Sequence, residues 1–174
     1  EAFGFEWDEP VVFQSQRGSH YQAALEQLRR HGLIYPCTCS RKQLADQARH
    51  GIDGLVYPGT CRNRPAPAQP AALRLRVADE RIVFIDRQQG RVACSMASEC
   101  GDFVLQRADG VYAYHLAVVI DDAQQGINHI VRGADLLTST PRHLTLQRLL
   151  GLATPDYLHL PVVLDAQGNK LSKQ

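Results

Sequence analysis

Val111-Tyr-Ala-Tyr-His-Leu-Ala-Val-Val-Ile-Asp-Asp122, with Ile130-Val-Arg-Gly-Ala-Asp135 close behind it, is the stretch on which the fold turns. The first part is the longest apolar run of the chain, opened by two tyrosines and a histidine and closed by two aspartates. Apolar runs of this length sit in a core. Periodicity alone allows strand or helix over Tyr114 to Gln125. The length of the segment, and Gly126 where a helix stop belongs, favour a helix. Ile127 to Arg132 then reads as a strand that halts at Arg132-Gly133-Ala134-Asp135. A buried element ending in charge beside a small residue is where α/β proteins keep ligand sites.

Outward from this stretch, strand and helix alternate. Thr140 before Pro141 marks a helix start, Leu144, Leu146, Leu149 and Leu150 supply its apolar content, and Gly151 ends it. Tyr157 to Leu164 is the last strand and Asp165-Ala-Gln-Gly168 a turn. Upstream, Phe103 to Gln106 is a strand and Ala108-Asp-Gly110 a turn. This alternation predicts an α/β layer with a mainly parallel sheet.

The first half reads differently. Ser19 with Gln22 has the capping-box spacing, and Tyr21, Ala24, Leu25 and Leu28 share one face, predicting a helix over Ser19 to His31 stopped by Gly32. Leu33 to Cys39 is a short extended piece. Ser40 with Gln43 repeats the capping-box spacing and predicts a second helix to about Arg49. His50-Gly-Ile-Asp-Gly54 is a turn-rich linker, and Asn63 to Pro70 a stiff proline-rich connector. Leu73 to Val77, Ile82 to Asp86 and Arg91 to Cys94 alternate or run apolar as strands, giving an inserted β unit with no helix of its own.

Composition narrows the function classes. A formal net charge of +1 gives no global argument for nucleic acid, which leaves the local clusters Arg29-Arg30, Arg41-Lys42 and Arg62-Asn-Arg64. Taken alone these read as solvated surface charge. No apolar stretch approaches a membrane span and no signal peptide is visible, so no membrane partner and a cytoplasmic location are expected. Glu1 in place of Met, and Gln174 directly after Lys-Leu-Ser-Lys, raise the expectation of further chain at both ends.

Five cysteines without a secretory signal argue against a disulfide scaffold. Tyr35-Pro-Cys-Thr-Cys39 and Tyr57-Pro-Gly-Thr-Cys61 match at four of five positions, as two knuckles that face each other would. Cys37, Cys39 and Cys61 offer three thiolates to a tetrahedral metal, with His50 or Tyr57 as the fourth donor. Three buried thiols without metal are the equal alternative on spacing alone. Cys94 and Cys100 read as structural. Arg132 at a strand end can take a carboxylate bidentately, and Tyr114 can add a hydroxyl hydrogen bond. The bland alternative pairs Arg132 with Asp135 and packs Tyr114 in the core. Lys170-Leu-Ser-Lys173, just past a strand, can reach nucleotide phosphates.

Cys37-x-Cys39, Asp102-Phe-Val-Leu, Asp109 to Asp122, Val131-Arg-Gly-Ala-Asp, His159-Leu-Pro and Lys170-Leu-Ser-Lys, taken in order, resemble the glutamyl branch of the class I aminoacyl-tRNA synthetases. The resemblance covers nearly the whole chain. It implies a Rossmann-like class I catalytic core, present in part (1–34 and 103–174), around a small zinc-binding, strand-rich insertion (35–102) that meets an acceptor stem. It implies Tyr114 and Arg132 on glutamate, Lys173 as the catalytic, ATP-contacting lysine with Lys170 beside it, and Cys37, Cys39, Tyr57 and Cys61 on a structural Zn²⁺. ATP and Mg²⁺ follow as substrate and its metal. Zinc-binding members of the branch finish their site with Cys-x-His, whereas Cys61-Arg-Asn63 lacks that histidine. This favours a shortened paralogue that transfers glutamate to queuosine in tRNA(Asp), expected as a monomer. The alternatives are charging of the 3′ end of tRNA(Glu) and a non-catalytic, zinc-stabilised RNA-binding module. The branch's "HIGH" signature and its amino-group loop are not found between Glu1 and Gln174, so residues 1 to 174 alone are expected to be inactive.

Overall fold

A computed structural model describes residues 3, 4, 6–168, 170 and 171. The first helix, α1 (Gly18–Arg30), buries Tyr21, Ala24, Leu25 and Leu28, the face set by its i, i+3, i+4, i+7 spacing. It begins before Ser19, and the predicted capping box does not form. Arg17 occupies the N-cap, and the Gln22 amide turns outward to Glu26 instead. What fixes this end is tertiary. Asp121 accepts hydrogen bonds from Arg17 Nε at 2.6 Å, Tyr21 Oη at 2.8 Å and Gln14 Nε2 at 2.9 Å.

Strand β1 (Ile34–Cys37) follows, then α2 (Arg41–Gln47), whose capping box is real: the Ser40 hydroxyl accepts from the Gln43 amide and the Gln43 side chain accepts from the Ser40 amide. The helix stops short of Arg49 because the predicted linker is a hairpin, β2 (Arg49–Gly51) with β3 (Gly54–Val56). Beyond the proline-rich connector come β4 (Ala72–Leu75) and the hairpin of β5 (Arg81–Asp86) and β6 (Gly90–Ser95). The β unit does carry one helical turn, a single π-type turn over Met96–Cys100. Strand β7 (Val104–Gln106) leads into α3 (Tyr114–Gln124), β8 (His129–Gly133), a 3-10 segment (Ala134–Ser139), α4 (Thr140–Leu150) and β9 (Asp156–Leu160). Gly151 ends α4 in the left-handed region, at φ +69°. Strand β9 is shorter than expected because Pro161 has no N–H to continue a ladder.

The expectation of a mainly parallel sheet is corrected. Among the described residues only β8 and β9 pair in parallel. The three-stranded sheet β1-β4-β7 and both hairpins are antiparallel. Strands joined by turns as tight as Arg87 to Gln89 cannot pair otherwise.

One apolar core joins the two halves of the sequence. Tyr21, Leu25 and Leu28 of α1 and Leu116, Val119 and Ile120 of α3 pack with Leu75, Ile82, Met96 and Leu146. A second, smaller cluster holds Tyr35, Cys37, Tyr57 and Cys61. Among the described residues no helix is long and apolar enough to cross a membrane.

Candidate functional site

The parallel register sets Arg132 of β8 opposite His159 of β9, and the side chains meet: Arg132 Nε donates to His159 Nε2 at 3.0 Å. The rest of the guanidinium is spread over neutral acceptors. Nη2 donates to Thr140 Oγ1 at 3.0 Å and the Leu136 carbonyl at 3.3 Å, and Nη1 to Tyr114 Oη at 3.3 Å. Tyr114 and Arg132 are therefore brought together, with the tyrosine at the first residue of α3 and half-exposed rather than packed in the core. Asp135 does not pair with Arg132. It turns to Lys170, whose hydrogen bond, together with its charge, holds the Asp135 carboxyl below the usual carboxylate range. Gly133 makes that turn feasible, since a Cβ there would stand 2.4 Å from Asp135 Oδ1. Among the described residues no carboxylate comes within salt-bridge distance of Arg132.

Behind Arg132 lies a buried polar layer. His159 Nδ1 meets Asp86 Oδ2 at 2.6 Å, both residues being essentially without solvent contact. Burial pushes the Asp86 carboxyl up, but the hydrogen bond from His159 and those from the backbone amides of Gln89, His159 and Gln88 outweigh it and leave the group at about 2. His143 of α4 sets Nδ1 3.5 Å from Arg132 and Nε2 3.1 Å from His115 Nδ1. Burial, then the charges around it, pushes both imidazoles down, His115 to about 4, so neither adds charge beside Arg132 at neutral pH. A cavity of about 350 Å³ opens along Tyr114 and His115, bordered by Asp53, Arg74, Phe103 and Arg142. Arg142, unlike Arg132, is neutralised by Asp53 at 2.7 Å.

Sequence reasoning missed His143, Arg142 and the role of Asp86. One signal was available for the first: Thr140, His143 and Gln147 recur at i, i+3 and i+7, a polar stripe that α4 buries. Lys170 rests on Asp135 at the surface, and Lys173 lies outside the described residues.

The two knuckles do face each other. Cys39 Sγ and Cys61 Sγ are 3.5 Å apart, and Tyr57 Oη lies 3.4 Å from Cys37 Sγ and 3.6 Å from Cys39 Sγ. The three thiol sulfurs fall within 4.8 Å of one another. His50 is not among them; it sits exposed in β2, paired with Leu55. With Zn–S near 2.3 Å and Zn–O near 2.0 Å, a tetrahedron has S–S edges of about 3.8 Å and S–O edges of about 3.5 Å. The Tyr57–Cys37, Tyr57–Cys39 and Cys39–Cys61 separations lie within a few tenths of an ångström of those edges. The Arg74 guanidinium stacks 4.0 Å above the Tyr57 ring.

The family description "tRNA synthetases class I (E and Q), catalytic domain" matches residues 1–174. Relatives named glutamyl-Q tRNA(Asp) synthetase are 59% identical over 177 residues in Dechloromonas aromatica and 56% over 175 residues in Chromobacterium violaceum, each across 100% of this chain. A relative of the same name in Pseudomonas aeruginosa is 56% identical across 99% of the chain. The chain spans between 57% and 59% of the length of these curated relatives. Among solved structures, a glutamate tRNA ligase from Elizabethkingia meningosepticum in complex with its amino acid superposes with a TM-score of 0.75 at 25% identity, over 94% of this chain and 37% of that one. The glutamate-tRNA synthetase from Elizabethkingia anophelis does so with a TM-score of 0.73 at 25% identity, over 91% and 36%.

Proposed function

The chain belongs to the class I tRNA synthetase family for E and Q, and from that premise we propose that it forms part of a ligase that activates glutamate with ATP and transfers it to queuosine in tRNA(Asp). The observation that carries the glutamate assignment is Arg132, a partly buried cation that meets only neutral groups among the described residues, with the Tyr114 hydroxyl on its open side. An anionic amino acid supplies the missing counter-charge at the Nη1 edge, beside the Tyr114 hydroxyl. In the activation step a glutamate carboxylate oxygen attacks the α-phosphorus of ATP. The bond to the bridging oxygen breaks, and pyrophosphate leaves with the electron pair. Lys173, with Lys170 released from Asp135, would stabilise that leaving charge, and a Mg²⁺ ion carried by the ATP would add electrostatic stabilisation there. The glutamyl group then passes to a hydroxyl of the queuosine ring, releasing AMP.

In this reading residues 1–34 and 103–174 contribute to a Rossmann-like catalytic core and 35–102 form the RNA-facing insertion. Cys37, Cys39, Tyr57 and Cys61 hold a Zn²⁺ whose part is structural, tying the knuckles together. The acceptor assignment rests on the name shared by relatives at 56–59% identity. ATP and tRNA locate the reaction in the cytoplasm.

The test uses the full-length protein with labelled glutamate and two acceptors, queuosine-bearing tRNA(Asp) and queuosine-free tRNA(Glu). Label is expected on the first alone and is expected to be blocked by periodate, which cleaves the vicinal diol. Charging of tRNA(Glu) would refute the acceptor assignment, and absence of glutamate-dependent pyrophosphate exchange would refute the enzyme.

A further inference from the structure

The contacts behind Arg132 leave little freedom in where protons sit. Asp86 closes β5, and its Oδ1 accepts from the backbone amides of Gln88 at 3.0 Å, Gln89 at 2.8 Å and His159 at 3.2 Å. Its Oδ2 meets His159 Nδ1 at 2.6 Å. An ionised carboxylate only accepts, so His159 carries its proton on Nδ1. The bare Nε2 then faces Arg132 Nε–H, a matched donor and acceptor at 3.0 Å. The opposite tautomer would set N–H against N–H at that distance.

We propose that Asp86 and His159 are positioning residues that aim Arg132: the carboxylate selects the imidazole tautomer, and the imidazole holds Nε so that the Nη1 edge and the Tyr114 hydroxyl face the ligand. The inference rests on the proposed role of Arg132 in binding glutamate. Two further features make the aim rigid. Thr140 and the Leu136 carbonyl hold Nη2. The hairpin that carries Asp86 grips β9 through Arg87 N–H to the Tyr157 carbonyl at 2.9 Å and Gln89 Nε2 to the His159 carbonyl at 2.8 Å. Tyr114 Oη accepts from Nη1, which leaves its own proton to donate to an anion.

Asp86→Asn tests this sharply because the backbone dictates which way the amide turns. Three N–H groups require an oxygen at the Oδ1 position, so the asparagine NH₂ must face His159 Nδ1. The imidazole then moves its proton to Nε2, against Arg132. The change resembles the wrong-tautomer effect known for a triad aspartate replaced by asparagine.

In the full-length protein, ¹⁵N NMR of labelled histidines is expected to show His159 protonated at Nδ1 and bare at Nε2, and reversed in Asp86→Asn. Glutamate-dependent pyrophosphate exchange is expected to show a KM for glutamate raised roughly 10- to 100-fold, with kcat within a few-fold. In an Arg132→Lys background, which has no Nε–H facing His159, adding Asp86→Asn is expected to raise KM further by less than about 3-fold. Equal effects in both backgrounds would assign Asp86 a general structural part and overturn the proposal. So would a bare Nδ1 in the parent, a measurement that stands even if Asp86→Asn folds poorly. Absence of exchange in the parent would refute the glutamate reading, while the NMR would still decide the tautomer.

Discussion

Replacing Tyr57 by Phe removes one oxygen from the four-donor cluster and keeps the ring beneath the Arg74 guanidinium, 4.0 Å above its centroid. A structural zinc site in a small domain carries about 10–16 kcal/mol of apparent binding free energy. Shared over four donors, that is about 3–4 kcal/mol each, a roughly 100- to 1,000-fold loss in zinc affinity for the variant. The oxygen also accepts from the Cys61 backbone amide at 2.7 Å. Its loss orphans a buried donor and costs about 1–3 kcal/mol of stability with or without metal. Zinc competition against a chromophoric chelator reads the first effect, and thermal melts of metal-stripped protein read the second. Cobalt(II) in place of zinc gives a ligand-field spectrum that differs between a three-sulfur, one-oxygen site and a three-sulfur site opened to water. His50→Ala is expected to change none of these. Equal zinc affinity in parent and Tyr57→Phe would refute the phenolate as a ligand. Failure of the parent to take up zinc after reconstitution would leave two buried thiols, one half-buried thiol and no metal site.

Other consequences can be checked with equally direct measurements. Arg132→Lys keeps the charge but loses the planar fork, and the KM for glutamate is expected to rise roughly 100-fold in pyrophosphate exchange by the full-length protein; Tyr114→Phe, losing one hydrogen bond, is expected to raise it about 5- to 10-fold. Asp121→Ala strips Arg17, Tyr21 and Gln14 of a shared, buried acceptor. The loss is expected to destabilise the fold by about 3 kcal/mol and lower Tm by roughly 10 °C, whereas Asp121→Asn should cost less. His115, held by burial and the Arg142 charge at about 4, binds a proton more weakly folded than unfolded. Its contribution, about 3 kcal/mol, is complete above the unfolded value near pH 6.5 and is lost as pH falls toward 4. Denaturant melts across that window should show the loss, and His115→Gln should reduce it, leaving the share due to His143, which burial also pushes down.

Patterns of short range were legible and patterns of long range were not. The spacing of Tyr21, Ala24, Leu25 and Leu28 gave α1 its buried face, and Ser40 with Gln43 gave α2 its cap. The same capping logic failed at Ser19 because Asp121, about 100 residues away in sequence, claims Arg17 and Tyr21 and fixes where the helix starts. Periodicity identified the strands of the β unit but not their direction: a tight turn sets β5 against β6, while β4 pairs with β1 and β7, both distant in sequence. At the site, the knuckle echo anticipated that the segments of Cys37, Cys39 and Cys61 would face each other, the family resemblance chose Tyr57 over His50, and the charged strand end singled out Arg132. Asp86 looked like an ordinary strand terminus. Its meeting with His159, 73 residues on, is set by how a hairpin seats on a neighbouring strand, and no local pattern encodes that.

The arginines distinguish scaffold from site by their partners. Arg17, Arg62 and Arg142 each reach a carboxylate, on Asp121, Asp102 and Asp53. Withdrawing a guanidinium from water is costly, and a carboxylate within the fold offsets that cost in the free protein. Among the described residues, Arg74, Arg76 and Arg132 are withdrawn without one; Arg76 instead donates to Asn63 Oδ1 and the Arg62 carbonyl and lies over the Tyr35 ring. Arg74 and Arg132 each stand where the proposed chemistry brings negative charge. Three thiolates and a phenolate on Zn²⁺ leave an excess of two negative charges beneath Arg74, and glutamate brings a carboxylate to the open edge of Arg132. In the proposed reading the same electrostatics links the knuckle and the pocket: the ligand would bring Arg74 and Arg132 the counter-charge that the chain does not supply.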